Sequence, residues 1–272
     1  MNIKHFLSIG CTVLFGVPAF AHEFWIEPIK FQVESDAPVH AQLRNGELFS
    51  GSAQPFFPQR NTRFEAVLGE KTIKIEGRMG DRPAVQLSLP GGDGLLIIAH
   101  EAAPASVTYE KWSKFVAFTE HKDFTDAVSI HEARDWDKEN FEETYTRHSK
   151  SLIAVGNGEG TDRPMGLLTE FIARENPYAA DFDGTLDVSL MYKGAPRADA
   201  QIEVYAKTDA KEVTVSVVRT DAQGNASIPV EPGLTYLLDA VVLRPVADAT
   251  TVAEGPVWET LWASMTFAVP AK

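Results

Sequence analysis

The residues best placed to do chemistry here are histidines, and the first of them sits in a telling context. In Pro18-Ala-Phe-Ala-His22-Glu-Phe-Trp25 a histidine directly follows the small-x-small sequence Ala19-Phe20-Ala21. Lys4 and His5 make a short basic start and Phe6 to Val17 is apolar, so residues 1–21 are expected to be a cleaved secretory signal peptide. The apolar run is too short to span a bilayer. Cleavage after Ala21 would make His22 the first residue of the exported, periplasmic chain. A terminal histidine offers an α-amine, with a pKa of about 8, and a ring Nδ1, which together can close a chelate ring on one metal ion. One or two further imidazoles would complete a nitrogen site suited to nickel, cobalt, copper or zinc. The third residue of such a chain is Phe24, so the tripeptide motif that needs histidine there is absent.

Setting aside His5, the candidates are His22, His40, His100, His121, His131 and His148, and none lies beyond residue 148. His100 ends the apolar run Leu95-Leu-Ile-Ile-Ala99, where a strand's last residue can look into a site at a sheet's rim or can be a core-edge residue bonded to backbone. His131 lies in Ser129-Ile-His-Glu132 and His148 in Tyr145-Thr-Arg-His-Ser-Lys150. Both sit among charges, where a histidine is usually solvated. His40 reads as structural within a strand and His121 as exposed. No spacing among them is a metal signature without a fold to gather them.

Composition narrows the classes. Cys11 is the only cysteine and leaves with the signal, so any metal site must use nitrogen and oxygen. Losing Lys4 takes Lys+Arg from 25 to 24 against Asp+Glu 38, a formal charge of −14. That charge argues against nucleic acid as a partner, whose phosphates need a basic surface. No Gly-x-Ser-x-Gly elbow, P-loop, His-Glu-x-x-His or dinucleotide fingerprint occurs, and no carboxylate pair is marked out as a glycosidase dyad. Trp258 and Trp262 share a strand face and read as core more readily than as a sugar platform.

The elements that must position the histidines are mostly strands. Thr185–Tyr192 and Ala200–Tyr205 alternate apolar and polar residues across the turn Lys193-Gly-Ala-Pro196, and Val213–Val218, Ala226–Val230, Tyr236–Leu243 and Leu261–Val269 continue the pattern. Strands are also expected at Phe24–Phe31, Val39–Leu43, Arg63–Val67, Lys71–Ile75, Ala84–Leu89 and Leu95–His100. Lys111–Thr119 and Asp123–Ala133 have helical spacing, while Phe141–Ile153 fits helix or strand. The expected architecture is therefore mainly β. An N-terminal β-rich, Ig-like domain with a helical insert (residues 22–178) precedes a C-terminal Ig-like or prealbumin-like β-sandwich (residues 182–272), with a hinge at Asn176–Gly184.

The mature start H-E-F-W-I-E-P resembles the opening of the DUF4198 family of exported proteins. So do A-H-E-A-A-P-A-S-V-T-Y, E-T-Y-T-R-H-S-K-S-L-I-A-V-G, G-L-L-T-E-F-I-A-R-E-N-P-Y and T-D-A-Q-G-N-A, over nearly the whole mature chain. The resemblance implies a periplasmic component of nickel or cobalt uptake, capturing or delivering a metal to a membrane transporter, with no established catalytic activity. Carried over by position, His22 opens the motif, His100 sits in A-H-E and His148 in T-R-H-S-K. His131 falls in a less fixed region. The expected ligand set is therefore His22 and His100 with His148 or His131, and no membrane insertion is expected. Two other classes remain: a copper-dependent oxidative enzyme built on the terminal histidine, and a glycan- or protein-binding sandwich without metal. Nitrogen ligands alone do not select nickel over copper.

Overall fold

Alternation along the chain does produce strands, and their two faces explain how the sheets stack. The computed structural model describes residues 22–89 and 91–271, so the signal-peptide expectation lies outside the described residues. In chain order the elements are β1 (Glu23–Pro28), β2 (Gln32–Val33), β3 (Val39–Glu47), β4 (Ser50–Gln54), β5 (Asn61–Leu68), β6 (Lys71–Lys74), β7 (Val85–Leu87), β8 (Gly94–Ala102) and β9 (Ala105–Tyr109). The helices α1 (Trp112–His121) and α2 (Ala127–Ala133) follow. Then come β10 (Phe141–Val155), β11 (Thr169–Ala173), β12 (Thr185–Tyr192), β13 (Ala195–Pro196), β14 (Gln201–Lys207), β15 (Val213–Arg219), β16 (Asn225–Pro229), β17 (Thr235–Pro245) and β18 (Trp258–Ala268). The protein is mainly β, with the helical insert where its spacing places it. Among the described residues no helix is long and apolar enough to cross a membrane.

A sheet in the order β15-β14-β17-β18-β10-β8-β5-β6 forms the centre. It crosses the expected hinge, because β10 from the first half pairs in parallel with β18 from the second, Glu143 against Trp258 through Ser151 against Thr266. The small sheet β1-β3-β4 (with β7 on β3) covers one face, and β11-β12-β13 (with β16 on β12) covers the other. Leu152, Ile202, Leu238 and Met265 pack against Phe171, Val188 and Ile228 in the core between the central and β12 sheets. Ile98, Ile153 and Val155 pack against Ile26, Ala41 and Val85 on the opposite side. The helices close the end of that side, stacking Phe115 and Phe118 on Trp258 and Trp262.

The stretch that reads equally as helix or strand is β10, and it is fifteen residues of strand. Its even positions from His148 to Leu152 face the β12 sheet, and its odd positions from Glu143 to Val155 face β1 and the helices. Polar side chains on both faces are buried, which hides the alternation from a hydropathy reading. On the odd face Ser149 donates to the Phe24 carbonyl (3.3 Å), and Thr266 of β18 donates to the Ile26 carbonyl (2.6 Å). These hydroxyls tie β1 to a sheet with which it makes no ladder. On the even face buried Lys150 reaches Asp162 (2.7 Å) and donates to the carbonyls of Arg163 (3.0 Å) and Phe171 (2.9 Å), pinning the Gly-rich loop to β11.

Burying a charge is tolerable only with such partners. Lys150→Met would leave Asp162 buried and uncompensated, so the free energy of unfolding in urea should fall by about 3–5 kcal/mol. A variant within about 1 kcal/mol of wild type would show that this pair does not hold the loop.

Candidate functional site

The end of β8 presents His100 to a cavity of about 460 Å³, bounded by Phe24 of β1, Asn45 of β3, Asn61 of β5 and Tyr145 and Arg147 of β10. His100 is buried, with its ring 5.4 Å from that of Phe24 and 4.7 Å from that of Phe64. Asn61 fixes its tautomer. The Asn61 amide NH₂ donates to the Phe57 carbonyl (3.0 Å), so its oxygen faces His100 and accepts from Nε2–H (2.8 Å). The neutral ring therefore carries its lone pair on Nδ1, which is buried and has no hydrogen-bond partner. Burial, and then the neighbouring charge of His148, pull the His100 pKa down to about 3, so the lone pair persists at neutral pH.

The other expected ligands are placed differently. His22 precedes β1 by one residue, two positions from the Phe24 ring that packs on His100. Its side chain is more than half exposed, with Nε2 3.7 Å from Glu47, and its carbonyl accepts from Arg147 (3.0 Å). His22 and His100 thus stand at the same end of the fold. His148 is buried on β10, but alternation turns it to the face opposite Arg147, so it lies across the sheet from the cavity. Its Nδ1 donates to the Trp262 carbonyl (3.2 Å). His131 lies elsewhere again. It is buried in the helical insert among Trp112, Phe115, Trp136, Phe141 and Trp258. Its Nδ1 accepts from the Trp258 indole N–H (3.0 Å) and its Nε2 donates to the Asp137 carbonyl (3.0 Å). Both nitrogens are used, leaving no lone pair for a metal.

Among the described residues no group of three or more His, Cys, Asp and Glu is gathered closely enough to hold a metal ion. The donor set fits a metal only in part: His100 supplies one ready nitrogen, and His22 is tied by its carbonyl to Arg147 of the lining. Reading histidines alone missed Arg60 and Arg147, which also line the cavity. Arg147 adjoins His148 in T-R-H-S, and its place beside a candidate ligand was the only hint. Its guanidinium lies 4.5 Å over the Tyr145 ring, and burial lowers its pKa.

The β10 face behind the cavity is rich in buried acids. Glu203 of β14 and Asp239 of β17 share Lys122, at 2.7 and 2.9 Å, and Tyr205 links Glu203 to Glu23, beside His22. Burial raises Glu23 to about 7. Glu143, accepting from Tyr109 (2.9 Å) and from Thr260, is likewise raised by burial to about 7.

The profile of a domain of unknown function, DUF4198, matches residues 19–244. The chain belongs to this family. No curated protein matches it. Among solved structures it is similar to a tetra-tandem repeat in the extending region of a large adhesion protein (10% identity, 91% of this chain and 49% of that one, TM-score 0.20). It is also similar to the D0-D1 domain of intimin (12%, 89% and 97%, 0.21). A third is Salmonella alpha-2-macroglobulin reacted with methylamine (12%, 93% and 15%, 0.21). The chain spans about half of the first of these and a small part of the third. TM-scores this low carry no functional argument.

The raised pKa of Glu143 generates a pH prediction. The folded state holds this proton up to about pH 7, whereas the unfolded chain releases it near 4.5. The stability it contributes is full below pH 4.5 and is lost as pH rises through 7. Glu143→Gln should therefore gain on wild type between pH 5 and pH 8, by on the order of 1–3 kcal/mol in urea midpoint analysis. A constant difference between the two proteins across that range would refute the assignment.

Proposed function

We propose that this DUF4198 protein is a periplasmic binding protein that captures a divalent transition metal (nickel, cobalt or copper) for delivery to a membrane transporter. The observation that carries the reading is the lone pair on buried His100 Nδ1, held neutral, tautomerically fixed and without a partner beside a cavity. That is the state in which imidazole binds metals, with the opposite ring nitrogen oriented by an amide. His22, whose carbonyl is held by Arg147 of the lining, would add its ring and, after cleavage behind Ala21, its α-amine. A bound metal would supply Lewis acidity, and the chain's own role is to hold and release it. His148 and His131 are left out of the ligand set, the first for the face it occupies and the second for its occupied nitrogens.

The test compares protein beginning at His22 with protein carrying one extra N-terminal residue, each titrated with nickel and with copper. The extension turns the amine into an amide, so affinity should drop at least about tenfold, roughly 1.4 kcal/mol. His100→Gln should weaken binding further, and His131→Gln should leave it unchanged in protein that remains folded. Equal affinity of the cleaved and extended proteins would remove His22 from the site. Failure of both to bind either metal would end the metal reading.

A further inference from the structure

The cavity beside His100 has a charge pattern that a bare cation does not explain. The chain carries a formal charge of −13, yet the cavity is lined by Arg60 and Arg147 and by no aspartate or glutamate. Among the described residues neither arginine has a carboxylate partner within 4 Å. Arg60 stacks on Phe57 (4.8 Å) and Arg147 on Tyr145 (4.5 Å), so each planar guanidinium is held by a ring while its donors stay uncommitted to an acid. A dication placed here would face two like charges.

Three polar atoms of the lining are buried without a hydrogen-bond partner: His100 Nδ1, Asn45 Oδ1 and Arg147 Nε. Each such atom has lost its hydration without compensation unless something meets it. Their chemistry is complementary to one kind of molecule. Arg147 Nε donates and, with Arg60, calls for an anionic acceptor. His100 Nδ1 and Asn45 Oδ1 accept and call for an O–H. The volume, about 460 Å³, lies in the range of small-molecule sites and far exceeds that of an ion.

We infer that the cavity binds a small hydroxycarboxylate, its carboxylate met by Arg60 and Arg147 and its hydroxyl donating to His100 Nδ1. The inference goes beyond the metal reading and does not rest on it. Where both hold, the carboxylate is the anionic co-ligand that offsets the arginines and fills coordination positions the protein leaves open.

The probes are citrate and tricarballylate, which is citrate without its hydroxyl, titrated calorimetrically into the processed chain at pH 7.5. Citrate should bind, and Arg60→Gln should weaken it at least tenfold. Because Arg147 also holds the His22 carbonyl, Arg147→Gln is read only alongside its thermal unfolding curve, and exposed Arg60 keeps the test independent of folding. Wild type should prefer citrate over tricarballylate several-fold, and His100→Gln should erase that preference. No citrate binding at millimolar concentration, or equal binding by wild type and Arg60→Gln, overturns the inference. Nickel alone and the 1:1 nickel–citrate mixture form the remaining arms. Nickel binding without citrate binding leaves the metal proposal and sinks this one, and citrate binding without nickel binding does the reverse.

Discussion

Strand β10 is the constraint on which the rest depends. It carries both halves of the molecule in one sheet, by its parallel register with β18 and its antiparallel pairing with β8 and β9. A strand has two faces and no third, so every residue it offers goes to one of two environments. Lys150 on the even face anchors the loop before β11, while Arg147 and Ser149 on the odd face reach His22 and Phe24. The same geometry puts His148 across the sheet from His100 although sequence motifs present them as equals.

The odd face is covered by a strand that shares no backbone ladder with it, so hydroxyls do the joining. Ser264 donates to Ser149, and the hydroxyls of Thr266 and Ser151 lie 2.9 Å apart, before the pair meets the carbonyls of β1. A polar seam of this kind aligns β1 by specific bonds where apolar contact would let it slide. Alignment matters, because Phe24 roofs His100 and His22 sits two residues from it. Further along the seam, against the opposing effect of burial, His121 (2.8 Å) and Lys122 (2.7 Å) pull the Glu203 pKa well below the usual carboxylate range, while burial keeps Glu23 mostly protonated below pH 7. Neutral Glu23 lets the N-terminal strand enter a buried position without adding a second full charge beside Asp239.

The cavity and the seam have opposite electrostatics within a few residues of each other. Acids collect behind β1, around Lys122, and arginines collect in front of it, around His100. Among the described residues neither Arg60 nor Arg147 forms an ion pair with a carboxylate, although Arg147 holds the His22 carbonyl. In this acidic chain the lining of the cavity thus holds arginines and no aspartate or glutamate.

Much of this was legible in the residues themselves. Alternation in Thr185–Tyr192 marks β12 to the residue, and helical spacing after Tyr109 marks the insert, because local period is a local property. His100 was recognisable as the end of a buried strand from the run Leu95–Ala99. The short strands Ser50–Gln54, Ala105–Tyr109 and Thr169–Ala173 were not, since polar or brief segments become strands only when a neighbour supplies the ladder. The value of each histidine was a tertiary matter. His131 is spent on Trp258, 127 residues away, and His100 owes its free lone pair to Asn61, 39 residues away. Sequence determined which nitrogens existed; only packing decided which of them were already bonded, because a tautomer is set by the partner across space and not by the neighbour along the chain.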